Sequence, residues 1–146
     1  MNDDVEAMLD QAALRRTAEI YAQGADRRDK TAWESVLAEN CVIEGPGFTL
    51  EGRDAILGSI DQLDATFRTT VHRVHQQLTT IDGDSATGET YSTAEHLLKD
   101  SDMILIWSIR YQDSWLRDGG TWRFTARTLI IDWEENRPVT LQGDTQ

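Results

Sequence analysis

The chain has 146 residues, 39% hydrophobic and 27% charged, the composition of one globular domain large enough to enclose a core and a small pocket. A formal net charge of -12 argues against nucleic acid or an anionic membrane surface as a partner, because both are themselves negative. Cys41 is the only cysteine, which rules out an internal disulfide, a redox CxxC pair and a cysteine zinc site, and leaves a small buried residue at a strand start as its reading.

The opening MNDDVEAMLDQ lacks the basic start and apolar core of a signal peptide, and no run reaches membrane-spanning length, so a cytoplasmic protein is expected. These first acidic residues read as loose. From Met8 to Arg28 the pattern is helical, with Leu14, Ala18, Tyr21 and Ala25 on one stripe. A second short helix, Thr31 to Leu37, carries Trp33 and Val36 and stops near Asn40. Cys41 to Ile43 reads as a short strand, and Gly45-Pro46-Gly47 as a turn before Phe48-Thr49-Leu50. Ile56, Ile60, Leu63 and Phe67 then recur at helical spacing, which predicts a third helix over Arg53 to Phe67.

Beyond this helix the pattern changes to strand. In Thr69 to Ile81, TTVHRVHQQLTTI, alternation places His72 with Val74, Gln76 and Leu78 on the inner face, and Arg73, His75, Gln77 and Thr79 outside. The Asp82-Gly83-Asp84 turn leads to a strand over Ala86 to Leu98, and Asp100-Ser101-Asp102 to another. There Met103, Leu105, Trp107, Ile109, Tyr111 and Trp115 share one parity, broken only by Asp113. The last strand, Thr121 to Trp133, begins with Trp122 and Phe124 on one face, yet Leu129, Ile131 and Trp133 have the opposite parity; a bulge near Ala126 reconciles the two. The tail after Glu134 reads as frayed.

Three helices and an antiparallel meander predict a single α+β domain, with an ordered core over about residues 8 to 134. A curved sheet folds over the first helix as a cone with a pocket at its open end. Asp26 closes the first helix, where a carboxylate is mildly disfavoured by the helix dipole. It is either a solvated helix end or a partner for the His72 ring. In the second case a carboxylate on one imidazole N–H fixes the tautomer and leaves the other nitrogen to take a proton.

The series AEIYAQGADRRD, a tryptophan at position 33, EGRDAI, H-x-x-x-Q before a DGD turn, and DGGTWRFTAR resembles, in order and spacing, the SnoaL-like group of the nuclear-transport-factor-2-like superfamily over Ala12 to Trp133. That group includes polyketide cyclases and is similar to scytalone dehydratases, hexachlorocyclohexane dehydrochlorinases and bile-acid 7α-dehydratases. The resemblance implies a cone-shaped α+β barrel and acid/base chemistry with no metal or organic cofactor. It makes Asp26 and His72 a dyad with His72 as proton acceptor, and Arg127 the arginine that stabilises a leaving group or oxyanion, provided the bulge turns it inward. Tyr21 stands where the dehydrochlorinase pattern has lysine and the bile-acid pattern tyrosine; a phenol suits dehydration, isomerisation or cyclisation better than loss of chloride. Glu95 matches the distance of a second acid in the bile-acid pattern, and Gln76 replaces the group's usual asparagine. Trp33, Trp107 and Tyr111 are the candidate pocket walls. The expected function is that of a dehydratase or isomerase acting on a hydrophobic cyclic, polyketide-like or steroid-like molecule, with a homodimer or homotrimer as the assembly. A polyketide cyclase closing a ring by an aldol-type step, or a noncatalytic small-molecule-binding or assembly domain, are the alternatives.

Overall fold

The computed structural model describes residues 2–143; Met1 and residues 144–146, the end of the tail read as frayed, lie outside the described residues. The first helix, α1 (Asp3–Asp26), starts well before Met8. Asn2 caps it by accepting the Asp4 N–H at 2.7 Å, and Asp3, Asp4 and Glu6 set negative charge against the positive end of the helix. The acidic residues that read as loose are thus a helix start. The stripe of Leu14, Ala18, Tyr21 and Ala25 is buried as predicted, none more than 7% exposed.

A short α2 (Lys30–Val36), N-capped by Asp29, runs straight into β1 (Leu37–Gly45), so Asn40 lies within a strand and stops nothing. The chain returns through β2 (Phe48–Glu51) and enters α3 (Arg53–Thr66), which buries Ile56 and Ile60. Gly52 makes that entry at φ 91, a left-handed backbone suited to glycine. Four long strands complete the chain: β3 (Phe67–Asp82), β4 (Ser85–Leu98), β5 (Met103–Asp118) and β6 (Thr121–Pro138).

The six strands form one curved, unclosed sheet in the order β2-β1-β6-β5-β4-β3, wrapped over the N-terminal helices. It is mixed: the meander and the β1–β2 hairpin are antiparallel, but β1 pairs parallel with β6. That pairing joins the early hairpin to the late meander. The main core lies between sheet and helices, where Leu14, Trp33, Leu37, Ile56, Ile60, Trp115 and Phe124 pack together; burying each large apolar side chain there contributes about 1.5–3 kcal/mol.

Three bulges decide which side chains face inward. In β3 the register against β4 shifts between Val74 and Gln77. His72 and Val74 face inward as predicted, but beyond the bulge Gln77, Thr79 and Ile81 turn in while Gln76 and Leu78 turn out, Leu78 to 80% exposure. In β6 a shift opposite Ser114 and Trp115 supplies the bulge predicted near Ala126, and carries Arg127, Leu129 and Ile131 to the face of Trp122 and Phe124. A second shift opposite Ser108 and Ile109 turns Trp133 out, 67% exposed. Of the Leu129-Ile130-Ile131 run, only Ile130 therefore points to the outer face.

The segment after Glu134 continues β6, pairing Glu134 to Pro138 with Trp107 to Met103. Val139 and Leu141 then cover Leu97, Ile104 and Ile106 on the outer face of the sheet. The tail up to residue 143 is packed because those apolar side chains on the outer parity need a cover.

Candidate active site

Small side chains at Ala18, Ala22 and Ala25 bring α1 close to the sheet, so its last residue reaches the inner face of β3. One oxygen of Asp26 meets His72 Nδ1 at 2.6 Å. The other accepts the His72 backbone N–H at 2.8 Å, and the Thr70 hydroxyl donates to the first at 3.0 Å. A carboxylate can only accept, so Nδ1 carries the proton, and in the neutral ring the lone pair falls on Nε2. The pair is mostly enclosed, with 10% of the His72 side chain and 21% of the Asp26 side chain exposed. His75, read as the solvent-facing histidine, is exposed, and its ring bonds to the Thr93 hydroxyl.

His72 lines an internal cavity with Tyr21, Tyr111, Arg127, Thr90 and Ser92. The space is closely packed: the gaps between its side chains leave no room for a water molecule. Arg127 forms its floor. Its guanidinium donates to Asp113 through Nε at 2.7 Å and Nη2 at 3.2 Å, and the carbon at its centre lies 3.7 Å from the Tyr111 ring centroid, 4.2 Å from Phe124 and 4.6 Å from Tyr21. Thr90 donates its hydroxyl to Asp113 at 2.7 Å and accepts Gln77 Nε2 at 2.9 Å, so the bulge that turned Gln77 inward completes this polar network.

Burial is the largest single effect and weakens the guanidinium, but Asp113 together with the Tyr111 and Tyr21 oxygens outweighs it and holds Arg127 above the ordinary arginine value. Burial likewise pushes the Tyr21 and Tyr111 phenols upward, so both keep their protons and remain hydrogen-bond donors. Cys41 is buried as read, its thiol pushed up to about 12 by desolvation.

The other predicted wall residues separate. Tyr111 is in the cavity lining. Trp33 is not: it stacks on the back of Tyr21 with centroids 4.4 Å apart and donates its indole N–H to the Tyr21 carbonyl at 2.8 Å, which fixes the phenol from behind. Trp107 sits half-buried on the inner face, packed against His96 and hydrogen-bonded to Glu134 at 3.0 Å. Glu95 is on the wrong face for a substrate contact. It pairs across the strands with Val71, whose side chain is outward, and forms an ion pair with Arg73 on the outer surface.

Two inward residues escape the sequence patterns. His96, one position after Glu95, is 2% exposed, donates its Nδ1 proton to the Leu105 carbonyl (3.0 Å) and meets His72 edge-on with ring centroids 5.9 Å apart. Burial lowers its pKa to about 4 against a smaller opposing effect of the Leu105 carbonyl. Parity within Ala86 to Leu98 would have found it, since Ala94 and His96 share a face. Asp113 carried a plainer signal: a lone carboxylate on an otherwise apolar inner stripe needs a buried cation. Among the described residues no three His, Cys, Asp or Glu side chains converge as a metal-binding set, and no helix is long and apolar enough to cross a membrane.

The fold and site define a class: a curved α+β cone with a carboxylate–imidazole pair on its inner wall. The chain belongs to the SnoaL-like domain family, whose model matches residues 6–128. It is similar in structure to a hexachlorocyclohexane dehydrochlorinase (TM-score 0.87, 15% identity, covering 97% of this chain and 98% of that one). A candidate scytalone dehydratase from Novosphingobium aromaticivorans is also similar (TM-score 0.81, 20% identity, 93% and 91%). So is a Mycobacterium tuberculosis protein of unknown function (TM-score 0.82, 25% identity, 90% and 77%). No functionally curated protein matches in sequence.

Proposed function

We propose that this protein is a cofactor-independent acid/base enzyme, a dehydratase or isomerase acting on a hydrophobic cyclic carbonyl compound. The observation that carries the reading is the Asp26 carboxylate on His72 Nδ1 at 2.6 Å, which leaves Nε2 as the candidate base of a side chain that lines a narrow cavity. In this reaction Nε2 takes a proton from the carbon next to the carbonyl, and the electron pair moves onto the carbonyl oxygen to give an enolate. Asp26 balances the imidazolium. Tyr21 and Arg127 stabilise the oxygen charge, one as a protonated phenol and the other as a fixed cation.

For dehydration, the enolate reforms the carbonyl and expels a hydroxyl from the next carbon, which takes the proton from His72 and leaves as water. For isomerisation the same proton returns to a different carbon. Elimination of water is the favoured outcome, because position 21 offers a phenol and no ammonium for a departing chloride. The cavity has no room even for a water molecule, against the ~300–1,000 Å³ of common ligand pockets, so a single small ring already requires its wall side chains to move aside. A polyketide-sized or steroid-sized molecule requires the half-buried Trp107, Leu129 and Ile131 to move aside.

That tightness also supports a second reading, in which the dyad and the Arg127 cluster only stabilise a noncatalytic binding domain. Proton exchange separates the two. Small cyclic ketones are incubated with the protein in D2O, with binding and loss of the α-proton both followed by NMR. The wild type is expected to exchange bound ketone, and His72→Ala to bind it but exchange it about 10²–10⁴-fold more slowly. Binding without exchange above the buffer rate, or equal exchange by His72→Ala, would overturn the enzymatic reading.

A further inference from the structure

α1 ends in a glycine-type stop made without glycine. The Arg28 N–H donates to the Ala25 carbonyl at 3.2 Å and the Asp29 N–H to the Gly24 carbonyl at 2.8 Å, the two-bond helix stop that places a left-handed residue between them. Arg28 holds that position at φ 54 and is the only non-glycine residue with positive φ among the described residues. Glycine would adopt this backbone at no steric cost, so the strain is tied to the side chain.

That side chain is 17% exposed and threads between α1 and the sheet. Nη1 donates to the Ala25 carbonyl at 2.6 Å and to the Thr70 hydroxyl at 2.8 Å. Nε is buried without a hydrogen bond, its nearest carboxylate being Asp64 at 3.5 Å on α3. Arg28 thus accepts both a strained backbone and an unsatisfied nitrogen to keep Nη1 where it is. Thr70 is 3% exposed and has one hydroxyl proton. Because Arg28 donates into the Thr70 oxygen, that proton is directed at Asp26, 3.0 Å away. The result is a one-way chain: guanidinium to hydroxyl to carboxylate, with the His72 ring N–H meeting the same carboxylate oxygen from the other side. The guanidinium also offsets the negative end of the α1 dipole, the feature that makes a helix C-terminus a poor place for Asp26.

We infer that Arg28 is a positioning residue for the Asp26–His72 pair, acting through Thr70 to fix the carboxylate that orients the imidazole. The inference rests on that pair being the working group of the site, and goes beyond it in assigning what holds the pair in place.

The test compares Arg28→Gly, Arg28→Lys and Thr70→Val by proton NMR, following the His72 Nδ1 proton, which is identified by its loss in Asp26→Asn. Arg28→Gly suits the helix stop, so a residue needed only for capping would leave the folded protein and this signal unchanged. The expected result is a folded Arg28→Gly variant whose Nδ1 proton moves and exchanges with water about tenfold to a hundredfold faster, with the same change in Thr70→Val and recovery in Arg28→Lys. In ketone exchange, Arg28→Gly and Thr70→Val should lose turnover while keeping wild-type ketone affinity, and Arg28→Lys should retain turnover. An unchanged Nδ1 proton in folded Arg28→Gly would overturn the inference. If Arg28→Gly does not fold, an unchanged signal in Thr70→Val overturns it equally. Should the NMR changes appear while the wild type shows no proton exchange, the positioning role stands and the enzymatic reading alone falls.

Discussion

Asp113 holds Arg127 by both carboxylate oxygens in the interior of the cone, with 2% of the arginine side chain and none of the aspartate side chain exposed. Such a pair is costly to assemble, and its value depends on both members being present. The three aromatic rings around the guanidinium replace the water it has lost.

Asp113→Asn should therefore lower stability by about 3–5 kcal/mol, because it strands a buried cation. Asp113→Leu combined with Arg127→Met should cost much less than the sum of the two single changes. Urea unfolding of wild type, Asp113→Leu, Arg127→Met and the double variant as a cycle measures the difference, and a cost below about 1 kcal/mol for Asp113→Asn, unfolded alongside them, would contradict the pairing.

His96 should give the fold an acid-sensitive component. Its folded pKa of about 4 lies below the ordinary histidine value, so as pH falls the unfolded chain takes up the proton first. The stability it contributes is complete above about pH 6.5 and is lost between there and pH 4, a change on the order of 3 kcal/mol. Unfolding wild type and His96→Gln at about pH 7 and pH 5 tests this: their stability difference should shrink at the lower pH.

Glu95→Gln should do little. Its partner Arg73 is half exposed on the outer surface, where an ion pair contributes about 0–1 kcal/mol and is screened by salt. Wild-type ketone exchange and an unchanged unfolding midpoint are the expected readouts; a large loss of exchange would place Glu95 in the site after all.

Gly24→Ala reverses the usual helix rule. Alanine normally gains up to about 1 kcal/mol over glycine inside a helix. Here the added methyl would stand 2.6 Å from Trp33 Cδ1 and 3.3 Å from the Ala32 methyl, against an indole that is itself pinned to the Tyr21 carbonyl. A net loss of about 1–3 kcal/mol is expected, with a change in tryptophan near-ultraviolet dichroism as the stack on Tyr21 shifts.

Sequence by itself determined the elements and much of the inner face. The α1 stripe, the α3 spacing, the DGD and DSD turns and the parity of His72 come from local periodicity, which each segment carries regardless of its neighbours. Even the β6 bulge was legible, because Trp122 and Leu129 cannot both be core in an unbroken strand. The bulge in β3 was not: Gln76 and Leu78 alternate plausibly on their own, and only pairing with Thr90 and Ser92 shows where the register slips. The same limit hid the parallel β1–β6 pairing and the cover that Val139 and Leu141 supply. Tertiary structure alone decided that Asp26 meets His72, that Asp113 answers Arg127, and that Arg28 rather than glycine ends α1. Each joins residues far apart in the chain, and a long-range contact depends on the geometry of the whole sheet, which no local pattern contains.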